Sequence, residues 1–210
     1  MQKENIKKII PYVQTSLHLC KESLSELLYI TQSARSEYEI SIVSGRPFNF
    51  YGITLQYCFI MEYTKLLEQK FGTDQNNVAS LFRLVNSIKN LGKEFEVGAT
   101  ENKHILSGLV KSLLFEKLKK LRNKKFGHAE IHEINDPMKI RGLTGREMEE
   151  MVRQMEIMLS VANNCFGSIG YNKLLIVSDD RTKNFIKYHA VYKQYYHDNF
   201  PKAYSEGYVL

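Results

Sequence analysis

The chain has few of the residues that interrupt regular structure. Four prolines and twelve glycines in 210 residues leave room for long, unbroken helices. Cysteine is also scarce: Cys20, Cys58 and Cys165 are widely spaced and form no CxxC pair. Free thiols buried in a reducing cytosol are therefore expected, not a disulfide framework. No apolar run approaches the ~20 residues that span a bilayer. Met1–Lys8 lacks the apolar centre of a signal peptide. A cytoplasmic protein without a membrane partner is the expectation. Internal repeats and low-complexity tracts are absent, as are a glycine-rich phosphate loop and a serine-centred nucleophile elbow.

What is present reads as soluble and globular, with 43% apolar and 25% charged residues. The length suffices for one domain with a sizeable core and an appendage. A net charge of +6 favours an anionic partner, nucleic acid first.

Apolar spacing predicts an all-α fold, an antiparallel bundle of about five to six helices within a single domain, 1–210. Ile6, Ile9, Ile10, Val13, Leu17, Cys20, Leu24, Leu27 and Leu28 recur at helical spacing, giving a helix from about Pro11 to the mid-thirties. Ser44-Gly45-Arg46-Pro47 marks Glu39 to Pro47 as a connection. Asn49 suits the N-cap of a helix reaching about Phe71. Its first half is apolar on nearly every side, which predicts a central position. Glu62 within it calls for a cation or a proton; Arg122, a neighbouring lysine and open water are the alternatives. A helix follows from about Val78 to Phe95, then a break at Gly98–Asn102. The next helix runs from about Lys103 to Phe126, with Leu113 and Leu121 in its core stripe. Thr144 and Glu147 form a capping box, opening a helix that carries Met148, Met151, Val152, Met155, Met158 and Leu159.

The tail changes character. Leu174–Val177 suggests a short extended piece, and Ser178 or Asp179 caps a helix to about Asp198. Seven of the thirteen tyrosines lie between Tyr171 and Tyr208, so 171–210 reads as a tyrosine-rich helical appendage. Its rings either pack on the body or, with Lys183, Lys187 and Lys193 beside them, grip single-stranded RNA by charge and stacking.

The most specific stretch is Leu121-Arg122-Asn123-Lys124-Lys125-Phe126-Gly127-His128-Ala129-Glu130. A histidine titrates near neutral pH and moves protons. An arginine grips phosphate oxygens as a bidentate fork. In an unbroken helix Arg122 and His128 would point ~120° apart. Gly127 is placed to end the helix and let His128 swing back. Two readings fit: a C-cap glycine beside a solvated basic run, or a pair that cleaves RNA with no metal. Lys119, Lys120, Lys124 and Lys125 are the candidate RNA-binding cations. His132, four residues after His128, raises a metal site. The pattern is not H-E-x-x-H and its neighbours are loop-like, so neither a metal nor a cofactor is expected. A second line on the motif helix, Phe115-Leu118-Arg122-Phe126, follows steps of three and four. It predicts a two-fold homodimer with this helix at or near the seam.

The wording of that stretch resembles the HEPN superfamily, whose signature is Arg, a polar residue, a short gap and His. It is closest to the abortive-infection, AbiU-type branch, which tends to read R-N-K-x-x-x-H. Phe50–Glu62 resembles that branch's second core helix, and the resemblance covers about residues 1–165. It implies a helical bundle, dimerisation and metal-independent ribonuclease activity in a defence or toxin–antitoxin system, with Arg122, Asn123 and His128 in the active positions. A cognate antitoxin or defence partner follows from the same resemblance. The tyrosine that many members carry two residues after the histidine is Glu130 here, which departs from the pattern regulated through that tyrosine. The rival from another class is a non-catalytic HEPN-like RNA-binding or dimerisation module.

Overall fold

A computed structural model of the chain describes residues 2–31, 35–68, 79–123, 142–166, 181–201 and 205. Among them are eight α-helices and no strand. They are α1 (Gln2–Ile30), α2 (Glu37–Val43), α3 (Arg46–Leu66), α4 (Leu81–Lys89), α5 (Glu96–Lys111), α6 (Leu113–Lys120), α7 (Gly145–Phe166) and α8 (Arg181–Asn199). The all-α expectation holds; the helix number is higher than the five or six expected. The chain divides into two compact units, one of residues 1–24 and 56–176, the other of 25–55 and 177–210.

In the first unit, the apolar row of α1 is buried as its spacing requires: Ile6, Ile9, Ile10, Val13, Leu17, Cys20 and Leu24. Pro11 lies inside the helix and does not start it. α1 meets α3 through Cys20, whose thiol donates to the Phe59 carbonyl at 3.7 Å. It meets α7 through the Lys21–Glu156 ion pair. The methionines of α7 are core: Met148, Met151, Met155 and Met158 are buried with Val152 and Leu159.

Two expected boundaries move. α4 stops at Lys89, and Gly92 adopts φ 151°, a conformation glycine tolerates and other residues rarely adopt. A single 3-10 turn, Lys93–Phe95, then leads into α5. Gly98–Asn102 is helical, not a break. One glycine costs a helix only about 1 kcal/mol, and α5 buries Ala99, Asn102, Leu106 and Leu109. The motif helix is not continuous. Ser112 is extended, with ψ 148°; its hydroxyl donates to the Leu109 carbonyl at 2.7 Å and accepts from the Phe115 amide at 3.1 Å. One side chain thus ends α5 and caps α6.

The Thr144–Glu147 capping box forms as expected. The Thr144 amide donates to Glu147 at 2.7 Å, and the Glu147 amide donates to the Thr144 hydroxyl at 3.2 Å. Burial pushes the Glu147 carboxyl up, but hydrogen bonds from Lys117 and Thr144 outweigh it and hold it below the ordinary carboxylate value. Thr144→Ala is expected to destabilise the protein by about 0.5–2 kcal/mol, read as a lower thermal midpoint. Because Glu147 titrates lower when folded, its contribution is complete above the ordinary carboxylate pKa and fades as pH falls through its folded value. The gap between parent and Thr144→Ala should narrow in acid.

In the second unit, the connection expected over 39–47 shrinks to Ser44 and Gly45 between α2 and α3. Ser36 and Glu39 form a capping box that opens α2, which packs on α8. The glycine and proline that suggested a loop lie just past it. The first half of α3 is not central either: Phe50 is 72% and Ile53 55% exposed. Apolarity on every side names no face to bury. Burial in α3 starts at Phe59, and the helix ends at Leu66, short of Phe71. The tail helix forms from Arg181 to Asn199, close to its expected bounds. The expected extended piece at 174–177 lies outside the described residues. No described helix is long and apolar enough to cross a membrane.

Candidate active site

α6 leads into the motif, of which Leu121–Asn123 are described. The apolar side of α6 seats Leu118, fully buried, and the chain has widened into π geometry at Leu121–Asn123, the last residues described before 142. Short stretches of π geometry recur at functional sites. Leu121 is fully buried there, so Arg122 is held at the surface edge, half-buried, and Asn123 is exposed. Arg122 reaches across to the end of α3, where its Nη2 lies 3.4 Å from Glu68 Oε1. That contact uses one corner of a fork that carries five N–H donors. The pair is solvent-reached on the arginine side, so it orients the guanidinium and adds little stability.

Glu62 has a different partner from the arginine. It accepts from the Ser16 hydroxyl at 2.8 Å and pairs with Lys65 at 2.5 Å. Of the alternatives weighed for it, the neighbouring lysine is realised. Arg122 finds the next carboxylate along, Glu68, a residue 54 positions away that no local pattern could flag.

The basic residues of α6 differ in their commitments. Lys117 grips both oxygens of Glu147, at 2.8 and 2.7 Å, and so ties α6 to the capped start of α7. Lys119 pairs with Glu116 at 3.0 Å and lies 4.5 Å over the Phe115 ring. Lys120 is exposed. Lys124, Lys125, His128 and His132 lie outside the described residues. Leu118 is buried, as its place in the apolar stripe of the motif helix predicts, so this member of the second apolar line is already used within one chain. Leu113, expected in the core stripe, is 89% exposed instead, because the turn at Ser112 takes it off the α5 face.

Cys20 is an inert core thiol. Burial pushes Cys20 well above the ordinary thiol value, with the charge of Glu62 adding to it. Cys20 and Cys58 are both free, the second only half-buried. Sequence reasoning also missed a cleft of about 580 Å³ beside α5 and α7, lined among others by His104, Ser112, Met151 and Gln154. At its edge Arg153 forks onto Glu150, at 2.9 and 2.8 Å.

A family model described as AbiU2, one of the HEPN group, matches residues 16–185. The chain belongs to this HEPN family. No curated protein and no solved structure matches it. The match takes in the whole stretch Leu121–Glu130 and stops at Phe185, so most of α8 lies beyond it. The helical architecture agrees with an HEPN fold, and this HEPN protein falls, as its motif wording suggested, in the abortive-infection branch.

Proposed function

We propose that this HEPN protein is a metal-independent RNA endonuclease, the toxin or effector of a bacterial abortive-infection or toxin–antitoxin system acting in the cytoplasm. The observation that carries the reading is the family match across the Arg122-Asn123…His128 stretch. The half-buried, fixed seat of Arg122 beside it suits a phosphate-holding group. In the reaction His128 takes the proton of a ribose 2′-hydroxyl, or delivers one to the leaving 5′-oxygen. The 2′-oxygen bonds to phosphorus as the bond to the 5′-oxygen breaks. Arg122 holds the charge that builds on the phosphoryl oxygens, Asn123 orients its neighbours, and Lys119, Lys120, Lys124 and Lys125 attract the strand. RNA incubated with the protein and a chelator should be cut to ends bearing a 2′,3′-cyclic phosphate or 3′-phosphate, and DNA should survive. RNA that stays intact under those conditions would sink the reading.

A second reading, a non-catalytic RNA-binding or dimerisation module, draws on one observation: Arg122 already has a protein partner in Glu68. A cognate antitoxin or defence partner belongs to either reading.

We also propose a two-fold homodimer with the motif helix at or near its seam. Its support is the exposed Leu113 at the start of α6. Sedimentation should give a dimer at micromolar concentration, weakened by Leu113→Lys. A monomer at high micromolar concentration would refute the proposal.

A further inference from the structure

α8 is built the wrong way round for a surface helix. It buries Ile186 and Ala190, packs on α2, and joins it where the Tyr38 hydroxyl meets His197 Nδ1 at 3.1 Å. The opposite side is aromatic rather than charged. Tyr188 is 71%, Tyr195 56% and Tyr192 42% exposed, and Phe185 is exposed beside them. At 100° per residue these four rings fall within an arc of about 80°, spread over about 15 Å of helix. Of the two readings of the tail tyrosines, inward packing is not realised for these three. A contiguous exposed aromatic stripe on a soluble protein marks a binding surface.

Two features say what binds there. The first is charge. Between Arg181 and Asn199 the helix carries Arg181, Lys183, Lys187 and Lys193 against Asp198 alone, and Lys187 is exposed on the flank of the stripe. The second is shape. At the head of the row an open notch of about 410 Å³ is walled by Pro47, Phe48, Tyr51, Thr182 and Phe185, with the Phe48 and Phe185 rings 6.0 Å apart. Phe185 is both a wall of this notch and the first ring of the row, and its other neighbour is His189, stacked at 4.0 Å. The Phe48 and Phe185 rings touch and are tilted by 47°, so a flat guest lies against this aromatic wall and not between the rings. Tyrosine rows with cations alongside suit nucleobases joined by phosphates, because every base has a π face.

We infer that the outward face of α8 is a stacking platform for single-stranded RNA, with a base seated in the Phe48–Phe185 notch. The inference rests on the ribonuclease reading for its choice of RNA, but it concerns binding and needs no cleavage. Double-stranded RNA hides its base faces and should bind more weakly.

The test is fluorescence anisotropy of a labelled single-stranded RNA oligomer, using the full chain with His128→Ala to prevent cutting. Tyr188→Ser/Tyr192→Ser/Tyr195→Ser should weaken binding by at least about fiftyfold, since stacking on one ring is worth roughly five- to 150-fold. Phenylalanine at the same three positions should restore affinity to within a few-fold of the parent. Lys187→Glu, a change at an exposed site that spares the rings, should weaken binding and flatten its salt dependence. Circular dichroism should show unchanged helix in each. Serine variants that bind as the parent does overturn the inference, and so do phenylalanine variants that fail like the serine ones. It is also overturned if the serine variant turns a dimer into a monomer with RNA affinity unchanged, because the face then joins two copies. If the otherwise unaltered protein cuts RNA but the serine variant cuts and binds equally well, the platform fails and the nuclease stands. If nothing is cut but binding depends on the tyrosines, the nuclease fails and the platform stands.

Discussion

His128→Ala should cut RNA about 10²–10⁴-fold more slowly than the parent, the usual worth of a positioned proton-transfer group, with chelator present in both reactions. The substitution removes the titrating group and leaves RNA binding in place, so single-turnover rates should fall while affinity holds. Arg122→Lys is the sharper partner experiment because of what the arginine touches. Its ion pair with Glu68 spans 3.4 Å, a contact that a lysine ammonium reproduces as a point charge. If Arg122 served only to hold the end of α3, lysine would serve nearly as well. If it holds a phosphoryl group by two parallel N–H bonds, lysine fails, since it lacks the planar fork. Cleavage should therefore collapse in Arg122→Lys while the thermal midpoint stays near that of the parent. Asn123→Ala should be milder. His132→Ala should change little, whereas a metal site would lose activity with it. An Arg122→Lys protein that cuts RNA at the parental rate would remove the arginine from the chemistry.

Leu121→Ala should destabilise the protein by about 2–5 kcal/mol, the range for a fully buried leucine. For a chain of this size that lowers the thermal midpoint by about 4–20 °C. The leucine has no exposed surface and is the first residue in π geometry, directly before Arg122, so the cavity left behind loosens the seat of the arginine as well as the core. Leu113→Ala supplies the contrast. The two leucines belong to one stripe by sequence spacing, yet Leu113 is 89% exposed within one chain, and at concentrations low enough to hold the chain monomeric its truncation should stay within about 0.5 kcal/mol. Equal losses in the two variants, measured by circular dichroism melting, would mean that the turn at Ser112 does not rotate α6 as described.

The motif was legible because it is local. Leu121–Glu130 sets the residue types of the family signature a few positions apart, and the family match spans it. Its setting was not legible. The carboxylate that receives Arg122 is Glu68, not Glu62, and the two lie six positions apart on chain that the sequence reads as one helix. Which of them meets the arginine depends on where α3 ends and how α6 is rotated, and Ser112 sets part of that rotation by leaving the helix.

The sequence by itself determined the all-α class, the buried row of α1, the capping box of Thr144 and Glu147, and the methionine core of α7. Each follows from periodicity or from a hydrogen bond between near neighbours, and neither needs a partner from afar. The tertiary structure alone decided that the first half of α3 is exposed, that Leu113 leaves the core stripe, that residues 37–43 form a helix against α8, and that the tyrosines of α8 face outward. Spacing says which side chains share a face of a helix. What covers that face is set by packing between segments distant in sequence, and only the folded chain brings those together.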